Sequence, residues 1–332
     1  MQRRKLIIAA GSAMTTVVAG CSSDESSSSP TESSTPTENS TPTETASADD
    51  NLESAAVAIQ NANDAIATQS DKLSDPSVEA GAGVDIQASS AERYLDTATS
   101  ELDMAEEVAT STQQDTIAAA RSWISYSRSV IEFLNLFADG YSEFTTGLTY
   151  IEAERYSDSA ESFKTAEGTL SDADSKLTIV RDRSDSLVET DSEYFDDVNL
   201  TSSEAEIDEL EPLLSSFISL SNGMHDVTLG LEDFISASNK VQNGQYSEGV
   251  SGYNDAQSHA SSAENTFKDL EQDAPNSIKN SVIEYTCYAG ALAEAAGHFA
   301  TGSRYYANGN SQAGDEEFNM GQNALNQCDF EA

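Results

Sequence analysis

The fold class is decided by residues 231–256, LEDFISASNKVQNGQYSEGVSGYNDA. Leu231, Phe234, Ala237 and Val241 step by three and four, the spacing that puts side chains on one face of a helix. Asn243-Gly244 ends that run, because glycine takes the left-handed backbone conformation that closes a helix without a steric cost. Tyr246, Gly249, Tyr253 and Ala256 then resume the same spacing. The stretch predicts a helix, a tight turn and a returning helix.

Working outward, the first face extends back through Phe217, Leu220, Met224 and Val227. Two other stretches carry equivalent stripes: Trp123, Tyr126, Val130, Phe133, Phe137, Tyr141 and Phe144, and Tyr285, Tyr288, Leu292, Ala295, Phe299, Gly302 and Tyr306. The three are in register. Phe144, Phe234 and Phe299 are each followed 19 residues later by Phe163, Tyr253 and Phe318, and three further on by Ala166, Ala256 and Gly321. Three residues after each first aromatic stands a small residue, Gly147, Ala237 or Gly302. The copies are offset by 90 and 65 residues. Asn308-Gly309 repeats the turn of Asn243-Gly244, whereas the first copy turns near Glu154-Arg155-Tyr156 without a glycine. A degenerate earlier copy has Leu95, Ala98, Leu102 and Ala105 at the spacing of Phe163, Ala166, Leu170 and Ala173, its partner a helix over Leu52–Leu73. A loop at 74–87 containing Pro and Gly joins the two.

Past residue 50, Pro occurs only at 76, 212 and 275, and strand-like alternation is scarce. The expectation is an all-α domain over 51–332, built of antiparallel helix pairs as a bundle or short solenoid, with sub-units 51–112, 113–185, 202–272 and 274–332. The order small Ala237, Gly244, Tyr246, Gly249, Tyr253, Ala256 resembles tetratricopeptide-type repeats. The third copy keeps Gly302, Gly309, Gly314, Phe318 and Gly321 but has Ser311 for the Tyr. Small residues stand where two helices approach most closely, and aromatics fill the space between pairs. The departure is the period: that family repeats every ~34 residues, against 90 and 65 here. What the resemblance implies is a protein- or ligand-binding helical surface.

The amino terminus reads as an address. Arg3, Arg4 and Lys5 precede Leu6–Ala19, an uncharged and mostly apolar run of 14 residues, too short to span a bilayer, which needs ~20. Val18-Ala19-Gly20-Cys21 resembles the lipobox of exported lipoproteins, in which the cysteine is lipidated after a signal peptide, here 1–20, is removed. Arg3-Arg4-Lys5-Leu6-Ile7 is similar to a twin-arginine export signal. Residues 21–50 hold Ser, Thr, Pro and acidic residues with no large apolar side chain, so they bury nothing and are expected to form a disordered stalk. Thirty such residues reach between ~30 Å as a coil and ~90 Å as extended polyproline. Asn39 and Asn199 open glycosylation sequons.

The chain has 16 basic and 58 acidic residues, net −42, and beyond residue 20 the balance is 13 against 58, net −45, with six lysines left. Such a surface repels nucleic acid and anionic head groups. It also repels itself, a burden relieved where ~1 M salt shortens the Debye length to ~3 Å. Acidity of this kind is that of a halophile's protein, and with the leader it resembles an exported haloarchaeal lipoprotein, held by its lipid on the extracellular face of the cell membrane.

Local signatures of hydrolysis, nucleotide binding and zinc are missing from the sequence, and the expectation is a protein that is not an enzyme and uses no cofactor. Glu294 and His298 stand four apart on one helix face and read as a surface contact. Glu189, Asp191, Glu193, Asp196 and Asp197 offer hard oxygen ligands suited to Ca²⁺ but lack the central Gly of an EF-type loop, so the run reads as a solvated connector. With Cys21 lipidated, Cys287 and Cys328 remain. Residues of an antiparallel hairpin pair about one midpoint: Phe299 and Phe318 put it at 308.5, and the two cysteines average 307.5. They are expected to face each other within about one turn, either bridged or as two buried thiols, in a compartment where disulfides persist.

Overall fold

A computed structural model describes residues 47–74, 76, 78–82, 84–187 and 200–328, with the side chains of 200–206 outside the description. The described residues form eight helices: α1 (Ala48–Leu73), α2 (Ser89–Glu106), α3 (Ser111–Glu152), α4 (Tyr156–Asp185), α5 (Leu200–Gln242), α6 (Tyr246–Asp273), α7 (Asn276–Ala307) and α8 (Ser311–Leu325). The fold is all-α, and each helix packs against the next in the chain. Odd-numbered helices also touch one another, α1 on α3 and α5, α5 on α3 and α7, so they form an inner row with the even-numbered helices outside it.

Local chemistry sets the helix starts. Ser47 and Asp50 exchange hydrogen bonds at the head of α1, the Asp50 amide donating to the Ser47 hydroxyl at 3.2 Å and the Ser47 amide to the Asp50 carboxylate at 3.0 Å. Thr110 and Gln113 make the same reciprocal box at the head of α3, which satisfies two amides that have no partner inside the helix. Pro275, with φ −55°, opens α7, a position where its missing N–H costs nothing.

The three turns predicted from register share one geometry. The Arg155 amide donates to the Tyr150 carbonyl at 2.8 Å, Gln245 to Lys240 at 2.9 Å and Asn310 to Tyr305 at 2.9 Å, with the residue before each donor in the left-handed region. Those residues are Glu154 (φ 59°), Gly244 (φ 78°) and Gly309 (φ 77°). The first turn therefore forms as the others do, with a glutamate held where glycine stands in the later copies.

Packing follows the same register. Phe144 meets Phe163 with ring centroids 5.4 Å apart, Phe234 meets Tyr253 at 5.1 Å and Phe299 meets Phe318 at 5.2 Å. A Cβ added to Gly147 would sit 2.8 Å from the Phe163 ring, and one on Gly302 would sit 2.7 Å from Phe318 and 3.0 Å from the Gly314 carbonyl. In the first copy Ser159 replaces the glycine of the returning helix, and its hydroxyl donates to the Gly147 carbonyl at 2.8 Å. Leu95, Ala98, Leu102 and Ala105 are fully buried on α2, as the degenerate copy requires. Phe217 joins two pairs: from α5 it meets Phe137, Tyr141 and Phe144 of α3 at 6.3, 5.3 and 5.4 Å.

Cys287 of α7 and Cys328 are bonded, with Cα atoms 5.9 Å apart. Cys328 occupies the register position of Ala173 and Ala263, both fully buried, and is itself 5% exposed. The chain just past α8 is thus held in the core by a covalent bond where the earlier pairs use an alanine.

A candidate binding cavity on the inner row

The stripes of α3, α5 and α7 point inward, and where they converge the inner row leaves a cavity of about 110 Å³. Leu148 and Ile151 of α3 and Met224, Val227 and Leu231 of α5 form two walls. Ala291, Leu292, Tyr285 and Tyr288 of α7 form a third, and Leu325 at the end of α8 closes one side. The remaining wall is Val78 and Ala80 from the α1–α2 loop. Gly81, at φ 72°, docks that loop by donating its amide to the Thr145 carbonyl of α3 at 3.3 Å. Lys72 donates to the Asp85 carbonyl at 2.9 Å, and the Gln87 amide donates to the Gln69 side chain at 2.9 Å, which ties the loop's far end to α1.

Three lining side chains carry polar groups: Tyr285, Tyr288 and Glu152. The Tyr288 hydroxyl donates to Glu284 at 3.1 Å. Burial pushes the Tyr285 phenol up from its ordinary range, with Glu284 and then Tyr288 adding in the same direction, so it is a neutral phenol at any physiological pH. Glu152 is exposed at the last residue of α3, where the helix dipole is negative. Arg155, three residues further along the chain, is engaged elsewhere: it lies over the Tyr150 ring at 4.2 Å and pairs with Asp158 at 2.7 Å. Among the described residues no lysine, arginine or histidine lines the cavity.

Of the wall residues, Met224, Val227, Leu231, Tyr285, Tyr288 and Leu292 belong to the stripes legible in the sequence, whereas Leu148, Ile151, Glu152, Ala291, Leu325 and the loop residues Val78 and Ala80 carry no such signal, and nor does the cavity itself. Of the candidate sites read from the sequence, Arg3, Arg4, Cys21, Asn39, Asn199 and the carboxylates Glu189, Asp191, Glu193, Asp196 and Asp197 lie outside the described residues. His298 faces Glu294 at 3.9 Å and makes its short contact, 2.7 Å, with Glu317 of α8, so it clasps the last two helices together. Among the described residues no group of three or more His, Cys, Asp or Glu side chains is placed to hold a metal ion, and no described helix is long and apolar enough to cross a membrane. Of the four tyrosines on α7, Tyr285 and Tyr288 line the cavity, Tyr306 stacks on Phe318 at 5.4 Å and on Tyr246 at 5.1 Å, and Tyr305 is exposed.

Comparison with protein-family models, with curated proteins and with solved structures finds no match to this chain. The likeness to tetratricopeptide repeats rests on the residue spacing alone.

Proposed function

We propose that the protein is a lipid-anchored, extracellular binding protein of a halophile, tethered through Cys21 and the 21–50 stalk and acting without catalysis. The observation that carries the binding reading is the cavity, since it sits where three helix stripes and a docked loop meet. The alternative that the sequence leaves open, a structural spacer within the envelope, does not require such a cavity. Its lining is mostly apolar, with two phenols and one carboxylate as polar groups, the composition of a site that holds a small molecule. The leader and the net charge of −42 support the location and the salt requirement.

Affinity capture from surface extracts in molar KCl, with the mature protein as bait, tests the role. A stoichiometric partner or a co-purifying small molecule is expected, and a bait that returns empty from both protein and small-molecule analysis contradicts it. Cys21→Ser tests the anchor: the variant is expected in the medium or as uncleaved precursor, whereas unchanged membrane retention overturns the lipoprotein reading. Helicity by circular dichroism is expected to fall on dialysis to low ionic strength and to return in molar KCl; full cooperative folding at 10 mM salt would remove the halophilic argument.

A further inference from the structure

The cavity also says what kind of ligand fits it, an inference that rests on the binding reading above. Its volume of about 110 Å³ is of the order of the ~150 Å³ that accommodates a benzene ring in an apolar protein interior, so the apolar part of an occupant is about six carbons. The walls from Leu148, Ile151, Met224, Val227, Leu231 and Leu292 match such a group. Polar matching is confined to Glu152, Tyr285 and Tyr288. An anionic head group would meet no cation among the lining residues and would face Glu152 and the negative end of α3, a desolvation without compensation. A cation meets the reverse: a carboxylate with no ion pair of its own among the described residues, the carbonyl end of a 42-residue helix, and two phenol rings whose faces attract positive charge.

We infer that the cavity binds a small organic cation with an apolar body, an alkyl- or arylammonium of about six carbons, its hydrocarbon between α3, α5 and α7 and its ammonium at Glu152 and the two tyrosines. Selection is by charge sign at the mouth and by size within.

Three probes of one size and different charge test this. Hexylammonium, 1-hexanol and hexanoate are titrated calorimetrically into the full mature protein in molar KCl. One site per chain is expected for hexylammonium, binding of hexanol weaker by about threefold or more, and no saturable binding of hexanoate. Glu152→Gln, an exposed change that leaves the core untouched, is expected to bring hexylammonium down to the level of hexanol. Leu231→Trp and Val227→Phe, each checked for unchanged helicity, are expected to abolish binding of both by filling the cavity. Hexanoate binding as well as hexylammonium, or hexylammonium affinity unchanged in Glu152→Gln, overturns the inference. If no probe binds while the surface-extract bait captures a stoichiometric protein, the cavity assignment fails and the binding reading stands; if both come back empty, both fail.

Discussion

Between Tyr150 and Ser159 the chain makes the same turn as between Tyr305 and Gly314, and behind each turn an aromatic from one helix meets an aromatic from the other at 5.4 Å or 5.2 Å. The two helix pairs are nevertheless held differently. In the α3–α4 pair, α4 runs 30 residues and is covered by α5, and Phe163, Leu170 and Leu177 are fully or almost fully buried. In the α7–α8 pair, α8 runs 15 residues, its buried positions are Gly314, Gly321 and Ala324, and α7 is the neighbour it packs against. The disulfide and the His298–Glu317 contact hold α8, whereas α4 has a further helix packed over it. A helix pair packed on both sides is buttressed by its neighbours, and a pair packed on one side among the described residues is held by other contacts.

The largest effect that sharpens this comparison belongs to Phe217, which joins α5 to α3 through three ring contacts. Phe217→Ala is expected to cost about 3–5 kcal/mol, read as the shift in denaturant midpoint at molar KCl. Phe318→Ala, a half-buried ring in the last described pair, is expected to cost less than half as much; equal losses would break the distinction between the two pairs. Next is Cys328→Ser, expected to cost about 2–4 kcal/mol, because the bridge closes a loop with its ends 41 positions apart. The loss should appear as early release of α8 and not as uniform weakening of the array.

The turns separate the copies on a smaller scale. Glu154 sits at φ 59°, a region that disfavours side chains by about 1–2 kcal/mol, so Glu154→Gly is expected to stabilise by about 0.5–1 kcal/mol after the entropy of the more flexible unfolded chain is deducted. Gly309→Ala, with open space around its Cβ, is expected to destabilise by about 1 kcal/mol from backbone strain alone. Thermal unfolding of the two variants side by side checks both signs.

The smallest effect distinguishes Phe163 from its register mate Tyr253. Burial pushes the Tyr253 phenol up, partly opposed by its hydrogen bond to Ser238, 2.9 Å away. A raised phenol pKa means the folded state holds its proton longer than the unfolded one. The contribution is therefore complete below the unfolded value of about 10 and declines as pH rises toward the folded value. Tyr253→Phe is expected to flatten the alkaline limb of the stability profile, while Phe163, which has nothing to titrate, contributes no slope.

How much of this was legible in the sequence follows from where the information lies. Helix, turn and returning helix could be read because the stripe of Phe217 to Val241, the stop at Asn243-Gly244 and the resumed spacing at Tyr246 all lie within one stretch of chain. The facing of Phe144 on Phe163 and of Cys287 on Cys328 could be read because hairpin geometry converts sequence separation into position about a midpoint. The turn at Glu154 was harder: a glutamate in the left-handed region has no local signature, and the register with Gly244 and Gly309 is what places it. The cavity was not legible, because it depends on how far apart the inner helices stand. A stripe containing Met224, Val227 and Leu231 has the same spacing whether its neighbours close over it or leave a gap. Val78 and Ala80 sit in a loop whose docking, through Gly81 on Thr145, is a contact between segments more than 60 positions apart.

The most direct test of this account is hydrogen exchange by mass spectrometry on the protein in molar KCl, bridged and after reduction. Leu325 at the end of α8 forms part of the cavity wall and Cys328 holds the chain just beyond it, so the bridge is expected to secure both the α7–α8 pair and the site. The account predicts that α3–α6 keep their protection in both states, while reduction strips protection from α8 and raises exchange around Ala291 and Leu292 of α7. Protection of α8 unchanged by reduction, or lost together with α3–α6, would contradict it.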